Sequence, residues 1–369
     1  MDSKPDPNPA PKPDSKPDPN SGPTPDPDAG LAHWKADPGW LNTASHGLPP
    51  DASWAAIARA QESWRLGRTD MEEFHAAGER ARATFGRLVH APTETIMAGQ
   101  TTSGLLAPFA AGLPEGGRLV VPEVEFTSNL FPWLVQRARG VEVVTVPAAK
   151  LVDTIDERTT AVAYSLVQSA DGSIAADAEL VAAARAYGAD VYVDGTQACG
   201  WLPVDVTRYD LFVVSAYKWL MTPRGAAYGY VAPELAARTL PHAANWYAGA
   251  PDVDPYYGPP LRLTDAARRF DTSPAWFCQV GAAPSLELVE RIGVERIRTH
   301  DVGLANRFLR GLGLPEGDSA IVAVDQPDAE ARLAAADIRV SARAGRTRLA
   351  FHIHNTEAEV DAAVAALTS

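Results

Sequence analysis

Short apolar runs alternate with segments of helical periodicity from about Leu31 onward. Such alternation is typical of an α/β fold, in which helices connect the strands and pack on the sheet. Most of the apolar runs are continuous and rich in valine, as expected for strands that are buried on both faces. The predicted strands are Arg118–Val121, Val141–Val146, Ala161–Leu166, Val191–Asp194, Leu211–Ser215 and Ala226–Val231.

Apolar residues recur at helical spacing around these runs. The predicted helices are Ala52–Leu66, Glu72–Val89, Thr127–Arg139 and Asp177–Tyr187, and helices dominate from Pro274 to Leu312. The C-terminal portion has predicted strands at Ala320–Val324, Ile338–Ser341 and Arg348–Ile353, with helices at Ala329–Ala336 and from Glu357. The pattern predicts a large domain over residues 31–260, with a mostly parallel central sheet flanked by helices, and a smaller α+β domain over residues 261–369.

The first thirty residues follow a different pattern. Proline alternates with Asp, Asn and Lys, and the hexapeptide Ser-Lys-Pro-Asp-Pro-Asn occurs at residues 3–8 and again at 15–20. This stretch offers too little apolar surface to form a core. We therefore predict an extended, polyproline-like, disordered tail over residues 1–30.

Charge and cysteine content narrow the classes of function. The net charge is −13, which disfavours nucleic acids and anionic membranes as partners because their phosphates are bound chiefly by clustered Lys and Arg. No apolar run reaches membrane-spanning length and no export signal is visible, so a cytoplasmic protein is expected. The two cysteines, Cys199 and Cys278, are too few for a disulfide framework and are not spaced as metal ligands, so no metal is expected.

Polar residues follow two of the predicted strands: Asp194 and Gln197 after one, and Ser215, Tyr217 and Lys218 at the end of the next. The carboxyl ends of strands in an open α/β sheet open onto the ligand crevice, so these side chains can converge there. Singly, each has an ordinary explanation, since Asp-Gly is common in turns and lysines are usually solvated. Together, Asp194 and Lys218 supply what pyridoxal 5′-phosphate (PLP) needs, a lysine for covalent attachment and a carboxylate facing the pyridine nitrogen.

The segments Asp194-Gly-Thr-Gln197 and Ser215-Ala-Tyr-Lys218 resemble the Asp-Gly-x-Gln and Ser-x-His-Lys motifs of aminotransferase class V enzymes such as cysteine desulfurases. The resemblance extends from about Leu41 to about Val360. It implies the fold type I architecture of PLP-dependent transferases, with PLP attached to Lys218, with Asp194 at the ring nitrogen, and with Gln197, Ser215 and Tyr217 in the cofactor site. Tyr217 replaces the family's histidine, and a phenol can still donate a hydrogen bond to phosphate.

Three other loops are similar to cofactor-binding segments of the family. Thr102 and Ser103 lie in Gly99-Gln-Thr-Thr-Ser-Gly104, which precedes a predicted helix and resembles the phosphate loop, although Thr and Ser also cap helices for structural reasons. Phe126 occupies the position of a histidine that stacks on the cofactor ring, and a core Phe is the alternative. Ser169 corresponds to a polar residue near the ring oxygen, and a simple polar loop explains it almost as well.

The resemblance also implies groups that contact the substrate or a second subunit. Arg348 matches an arginine that clamps the substrate carboxylate, whereas Arg343 and Arg346 have the alternative explanation of charges on an exposed strand. His46 lies in an opening segment similar to that of isopenicillin-N-epimerase-like members, where it faces the substrate or is an ordinary turn residue. Thr272 is implied to touch the neighbouring subunit's phosphate in a homodimer with its active sites at the interface.

The family chemistry implied for Lys218 begins with removal of a proton from the α-carbon of an amino-acid substrate. Transamination is the favoured outcome. A carbon–sulfur lyase acting by β-elimination and an amino-acid epimerase remain alternatives, as does a PLP-fold protein that binds without catalysis. The persulfide route of desulfurases is disfavoured because the chain has no cysteine after Cys278.

Overall fold

The computed structural model describes residues 33–250, 254 and 256–369. The tail predicted over residues 1–30 lies outside the described residues. The α-helices are α1 (Asp51–Arg65), α2 (Met71–Leu88), α3 (Thr102–Ala111), α4 (Thr127–Leu134), α5 (Leu151–Thr154), α6 (Asp177–Ala186), α7 (Pro233–Arg238), α8 (Trp276–Ile292), α9 (Val294–Gly311), α10 (Ala329–Ala335) and α11 (Glu357–Thr368). None of the helices in these ranges is long and apolar enough to cross a membrane.

A central sheet contains the strands β1 (Ile96–Gly99), β2 (Arg118–Pro122), β3 (Glu142–Val146), β4 (Thr159–Ser165), β5 (Asp190–Asp194), β6 (Leu211–Ser215) and β7 (Ala227–Val231). Their order across the sheet is β1-β7-β6-β5-β4-β2-β3, and all neighbours from β6 to β3 are parallel. Only β7 runs antiparallel to its neighbours β6 and β1. The α/β fold with a mostly parallel sheet is therefore confirmed, and β1, which is four residues long, is a strand that the pattern did not predict.

The apolar composition of the central strands fixes them in the interior. Every residue of β2 and β7 is buried, and so are the last four residues of β5. Continuous apolar runs of this kind are typical of a sheet whose two faces are both covered by other elements. The parallel arrangement brings the carboxyl ends of β4, β5 and β6 to one edge, where Ser165 pairs in register with Asp194.

A second sheet consists of β8 (Ile321–Val324), β9 (Ser341–Arg343) and β10 (Arg346–Ala350), in the order β8-β10-β9 with antiparallel neighbours. The predicted strands Ile338–Ser341 and Arg348–Ile353 are wrong in position. Ala344 and Gly345 both have positive φ values, 48° and 77°, and form the two-residue turn of a tight hairpin. That turn sets the register of β9 against β10. Both strands therefore lie closer to the turn than the pattern predicted.

Each sheet has its own apolar core. The main core joins the central sheet to α2, α3, α6 and α8, and the second core contains residues from Leu304 to Leu367 together with Leu41. The N-terminal segment at Leu41 thus belongs to the packing of the C-terminal sheet, where its carbonyl accepts a hydrogen bond from the Ala350 amide at 2.9 Å. The domain boundary between residues 260 and 261 stays a prediction.

A buried ion pair connects β1 to α2 and to the segment that precedes α8. Asp271 is fully buried and contacts the guanidinium of Arg82, which is 4% exposed. Asp271 also accepts a hydrogen bond from the Ala98 amide at 2.7 Å, and Arg82 donates to the Ile96 carbonyl at 2.5 Å. The pair therefore holds α2, β1 and the segment before α8 together.

Changing Asp271 to Asn should strongly destabilise the protein, because it leaves the Arg82 charge buried without its carboxylate. Loss of one partner of a buried pair costs about 3–5 kcal/mol. The matched control is Glu287→Gln, which removes an ion pair to Arg80 whose side chains are 57% and 40% exposed, and should cost about 1 kcal/mol or less. Urea unfolding measures both free energies, and equal losses would show that the buried pair has no special role.

Candidate active site

Lys218 lies in a buried position directly beyond β6. Its side chain is 6% exposed, and its Nζ lies 5.4 Å from the centre of the Phe126 ring and 5.9 Å from the centre of the Tyr217 ring. The backbone is held closely there, since a Cβ on Gly47 would come within 2.0 Å of the Lys218 carbonyl oxygen. An amine in these surroundings is shielded from water but has an open cavity beside it.

Asp194 ends the neighbouring strand β5 and is 4% exposed. Its Oδ1 accepts a hydrogen bond from the Thr196 amide at 2.8 Å, which orients the carboxylate at the end of the strand. Burial raises the pKa of Asp194, while Thr196 and Lys218 oppose that rise by favouring the anion. A carboxylate in this position can form an ion pair with a cation in the cavity or accept a hydrogen bond from an N–H group there.

Burial also makes Lys218 a weaker base than an ordinary lysine. Its pKa falls to about 8, chiefly because burial penalises the charged amine. The Asp194 carboxylate opposes the fall, whereas the charges of Arg348, Arg343 and Arg224 add to it. A substantial fraction of the amine is therefore neutral, and nucleophilic, near neutral pH.

Three hydroxyl groups meet at the N-terminus of α3. The Thr102 hydroxyl lies 2.7 Å from Ser215 Oγ and 3.2 Å from Thr196 Oγ1, and the Thr102 amide donates to Ser215 Oγ at 3.2 Å. Thr101 caps the helix by accepting from the Gly104 amide at 3.1 Å. A helix N-terminus with several hydroxyl donors suits an anion such as phosphate.

Gln197 and Ser169 form a network beneath the cavity. The Gln197 amide donates to the Ala44 carbonyl at 2.9 Å and to Ser169 Oγ at 3.1 Å, and its oxygen accepts from the Trp219 indole at 2.8 Å. Both the side-chain nitrogen and the side-chain oxygen of Gln197 are thus hydrogen-bonded within the protein. Its role in the structure is to position Ser169 and the residue that follows Lys218.

Arg348, on β10, reaches the same network from the C-terminal sheet. It is 1% exposed, donates from Nη1 to the carbonyl and the hydroxyl of Ser169, and donates from Nη2 to Ser45 Oγ at 2.8 Å. Its Nε has no hydrogen-bond partner among the described residues. The guanidinium therefore has donor capacity left for a ligand.

His46 and Tyr217 lie side by side, with ring centroids 5.5 Å apart. The Nδ1 of His46 is 2.7 Å from the Gly47 carbonyl, and the guanidinium of Arg224 lies 5.0 Å from the centre of the Tyr217 ring. His46 is therefore next to a cavity-lining residue rather than in the lining itself. Arg224 is a cation near the site that the sequence interpretation did not single out.

A small cavity lies beside Lys218. It is lined by Thr102, Phe126, Ser128, Ser165, Ser169, Asp194, Thr196, Gln197, Ser215, Tyr217 and Lys218. Sequence reasoning missed Ser128, Ser165 and Thr196, although Thr196 is the variable residue of the Asp-Gly-x-Gln motif and offered a signal.

Four predicted site residues lie outside the cavity lining: Arg348 and His46, described above, and Ser103 and Thr272. Ser103 contacts Thr101, with its Oγ 3.5 Å from Thr101 Oγ1. Thr272 donates to Gln100 Oε1 at 2.7 Å and lines a separate hollow with Arg82 and Tyr247. Within one chain, Thr272 therefore does not meet Lys218, and its predicted contact with a neighbouring subunit's phosphate stays a prediction.

Glu125 is a second buried carboxyl group near Asp194. It is 6% exposed and accepts hydrogen bonds from Asn129 at 2.5 Å and Gln168 at 3.1 Å. Burial raises its pKa to about 7, Ser165 opposes the rise, and the Asp194 charge adds to it. The sequence interpretation of this segment used only the adjacent Phe126.

Comparison with known proteins identifies the family. Residues 63–330 match the profile of the family Aminotransferase class-V. The chain belongs to this family.

An uncharacterized aminotransferase of Bacillus subtilis, YcbU, is 25% identical over 80% of this chain and 84% of its own length. A probable cysteine desulfurase of Methanothermobacter thermautotrophicus is 28% identical over 62% of this chain, and the isopenicillin N epimerase of Streptomyces clavuligerus is 29% identical over 63%. The chain spans only 60% and 62% of those two proteins.

Solved structures show the same fold. The apo cysteine desulfurase of Thermococcus onnurineus has a TM-score of 0.76 at 22% identity, covering 89% of this chain and 93% of that one. C-DES with glycine covalently linked to its PLP cofactor has a TM-score of 0.81 at 20% identity, covering 90% of this chain and 96% of that one. The predicted fold type I architecture is confirmed, and the chain is a PLP-dependent class V enzyme.

The residues of the cavity fit PLP. Lys218 supplies a buried amine with a lowered pKa, Asp194 supplies a buried carboxylate, and the hydroxyls of Thr102 and Ser215 supply phosphate donors at a helix N-terminus. These three functions are the ones that the cofactor requires of a protein. Phe126 supplies an aromatic face beside the amine.

Attachment of PLP to the apoenzyme should follow the low pKa of Lys218. The attachment rate should rise about tenfold per pH unit between pH 6 and 7 and level off above about pH 9, because the neutral amine reacts and its pKa is about 8. Borohydride trapping and peptide mapping measure the label on Lys218. The control is Nα-acetyl-lysine, whose rate of reaction with PLP should still increase at pH 10. The assignment of PLP to Lys218 is contradicted if both amines show the same dependence of rate on pH, or if the label is found on another lysine.

Changing Asp194 to Ala should leave PLP attached to Lys218 but lower turnover about a hundredfold or more, because a preorganised charge is lost from the site. The matched control is Asp190→Asn, at the other end of β5, where the carboxylate pairs with Arg238 and is remote from the site. Cofactor absorbance and steady-state turnover measure the two effects. Full activity of the Asp194 variant would show that another group serves the ring nitrogen.

Proposed function

We propose that the protein is an aminotransferase that acts on an amino-acid substrate. The observation that carries the proposal is the chemical asymmetry around the cavity. Lys218 is a buried base with a pKa of about 8. Of the two rings near its amine, the nearer one, at 5.4 Å, belongs to Phe126, which has no titratable group, and the ring of Tyr217 lies at 5.9 Å. A single base suffices for transamination, which moves one proton between two carbon atoms that lie on either side of a nitrogen atom.

The residues of this chain have separable tasks in that reaction. PLP, when bound, supplies an electron sink for bonds at the substrate α-carbon. Asp194 would hold the ring nitrogen in its protonated form, and Thr102 and Ser215 would hold the phosphate. Arg348 would bind the substrate carboxylate and so direct the α-hydrogen toward Lys218 Nζ, which would take up the proton and hold it for the return step.

The cysteines do not support a persulfide mechanism. Cys199 is 4% exposed, and burial raises its pKa to about 12, which opposes formation of a nucleophilic thiolate. Cys278 lies on α8, donates to the Arg224 carbonyl at 3.2 Å, and also has a pKa raised by burial. Neither thiol lines the cavity that contains Lys218.

A carbon–sulfur lyase is the second candidate, because several relatives at 27–29% identity are named cysteine desulfurases. In this chain such a reaction would proceed by β-elimination with Lys218 as the base. An epimerase is less well supported, since reprotonation from the opposite face requires a second acid and Phe126 offers none. YcbU, of which this chain covers 84%, is named an uncharacterized aminotransferase, which supports the first candidate.

We also propose a homodimer with active sites at the subunit interface. Thr272 lies in a hollow apart from its own Lys218, as expected for a residue that serves a neighbouring subunit. The segment between α7 and α8 exposes Tyr257 and Leu261, at 86% and 81%, which a second subunit could cover. Analytical ultracentrifugation measures the oligomeric state directly.

The holoenzyme should convert an amino acid and a keto acid into the exchanged pair, and the cofactor should pass through its amine form. A variant with Cys199→Ala and Cys278→Ala should keep this turnover, because the thiols take no part. A panel of amino acids assayed for keto acid, sulfide and altered chirality separates transamination, elimination and epimerisation. Sulfide release that disappears in the double variant with PLP still bound would refute the proposal.

A further inference from the structure

The β9–β10 hairpin places three arginines on one face. Arg343 pairs in register with Arg346, and Arg348 lies two residues further along the same strand. Side chains two residues apart on a strand point to the same side, and directly opposed residues share that side. Arg343, Arg346 and Arg348 therefore project together from the C-terminal sheet.

Only one of the three is neutralised by a carboxylate. Arg346 forms an ion pair with Asp171 at 3.1 Å. Arg343 and Arg348 form no ion pair with any carboxylate in the part of the chain that the structure describes, and their Nη2 atoms meet at one hydroxyl, Ser45 Oγ, at 3.4 and 2.8 Å. Two guanidinium groups therefore converge on the edge of the Lys218 site without a counter-ion.

This convergence is electrostatically unfavourable when the site is empty. Burial, and then the charge of Arg343, lower the pKa of Arg348 to about 10, and both arginines also lower that of Lys218. The chain has 46 acidic residues against 33 basic ones, so acidic partners are abundant elsewhere. On the same face Asp171 pairs with Arg346 alone, so a counter-ion for Arg343 and Arg348 has to come from outside the described residues.

The buried member of the pair also has unused donor capacity. Arg348 is 1% exposed, and its Nε is without a hydrogen-bond partner among the described residues. A buried donor without a partner costs free energy that a bound acceptor recovers. One carboxylate can occupy Arg348 and leaves Arg343, which is exposed and also reaches Ser45 Oγ, available for a second anionic group.

We propose that the substrate is an amino acid with a second acidic group in its side chain, in the class of aspartate and glutamate. Arg348 binds the α-carboxylate, and Arg343 binds the distal acidic group near Ser45. The inference rests on the proposed function and deepens it, since it assigns the substrate class of the same site. A substrate with a neutral side chain would satisfy Arg348 but leave Arg343 without a counter-ion.

The first test compares acidic amino acids with their neutral isosteres. Wild-type holoenzyme should prefer L-glutamate to L-glutamine and L-aspartate to L-asparagine in kcat/KM. Arg343→Gln should lower the acid-to-amide ratio about ten- to a hundredfold, the range expected for a hydrogen bond between charged groups. Arg346→Gln removes a charge from the same face without touching Ser45 and should leave the ratio unchanged.

The second test measures binding without turnover. Glutarate and butyrate should be titrated into the holoenzyme while the cofactor absorbance is followed. The wild type should bind glutarate at least about tenfold more tightly than butyrate, Arg343→Gln should lose that preference, and Arg343→Lys should keep part of it because it retains the charge. Circular dichroism checks that the variants are folded.

The two tests separate failure of the inference from failure of the proposed function. If no amino acid is converted to a keto acid but glutarate still binds in an Arg343-dependent way, the acidic substrate class stands and transamination is wrong. If transamination occurs with equal use of acids and amides, and Arg343→Gln changes neither ratio nor glutarate affinity, the assignment to Arg343 is overturned and the proposed function stands.

Discussion

The site depends on keeping Asp194 and Lys218 buried together at the ends of two adjacent parallel strands. Both side chains are less than 7% exposed, and burial shifts both pKa values toward the neutral forms while each charge opposes the shift of the other. Such an arrangement costs free energy, because ionisable groups lose their hydration. The buried apolar residues of β5 and β6 provide the rigid frame that maintains it.

A buried link from the C-terminal sheet supports the backbone next to Lys218. His352, which follows β10, lies 2.8 Å from the carboxylate of Asp301 on α9 and 3.0 Å from the carbonyl of Trp219. Both neighbours can accept a hydrogen bond from the ring. The same short segment of chain therefore carries Arg348 and ties its own end to the residue after Lys218, so Lys218 and Arg348 share one support.

Sequence reasoning reached the parts of this arrangement that are encoded locally. Continuous apolar runs predicted the central strands, and Asp194 and Lys218 were found because each directly follows such a run. The hairpin strands were misplaced because the Ala344–Gly345 turn, which sets their register, has no strong composition signal. The meeting of Arg343 and Arg348 at Ser45 depends on a contact between distant segments, so no local pattern reveals it.

An acidic chain that binds anionic ligands must rely on short-range interactions. At physiological ionic strength, exposed charges are screened over about 8 Å, so the net charge of −13 neither attracts nor strongly repels a small anion at a distance. Inside the site, screening is weaker, and the local balance is reversed by Arg348, Arg343 and Arg224 around Lys218. Among the described residues no carboxylate pairs with Arg343 or Arg348, so these two cations stay available, and this local pattern bears on small-ligand binding more than the total charge does.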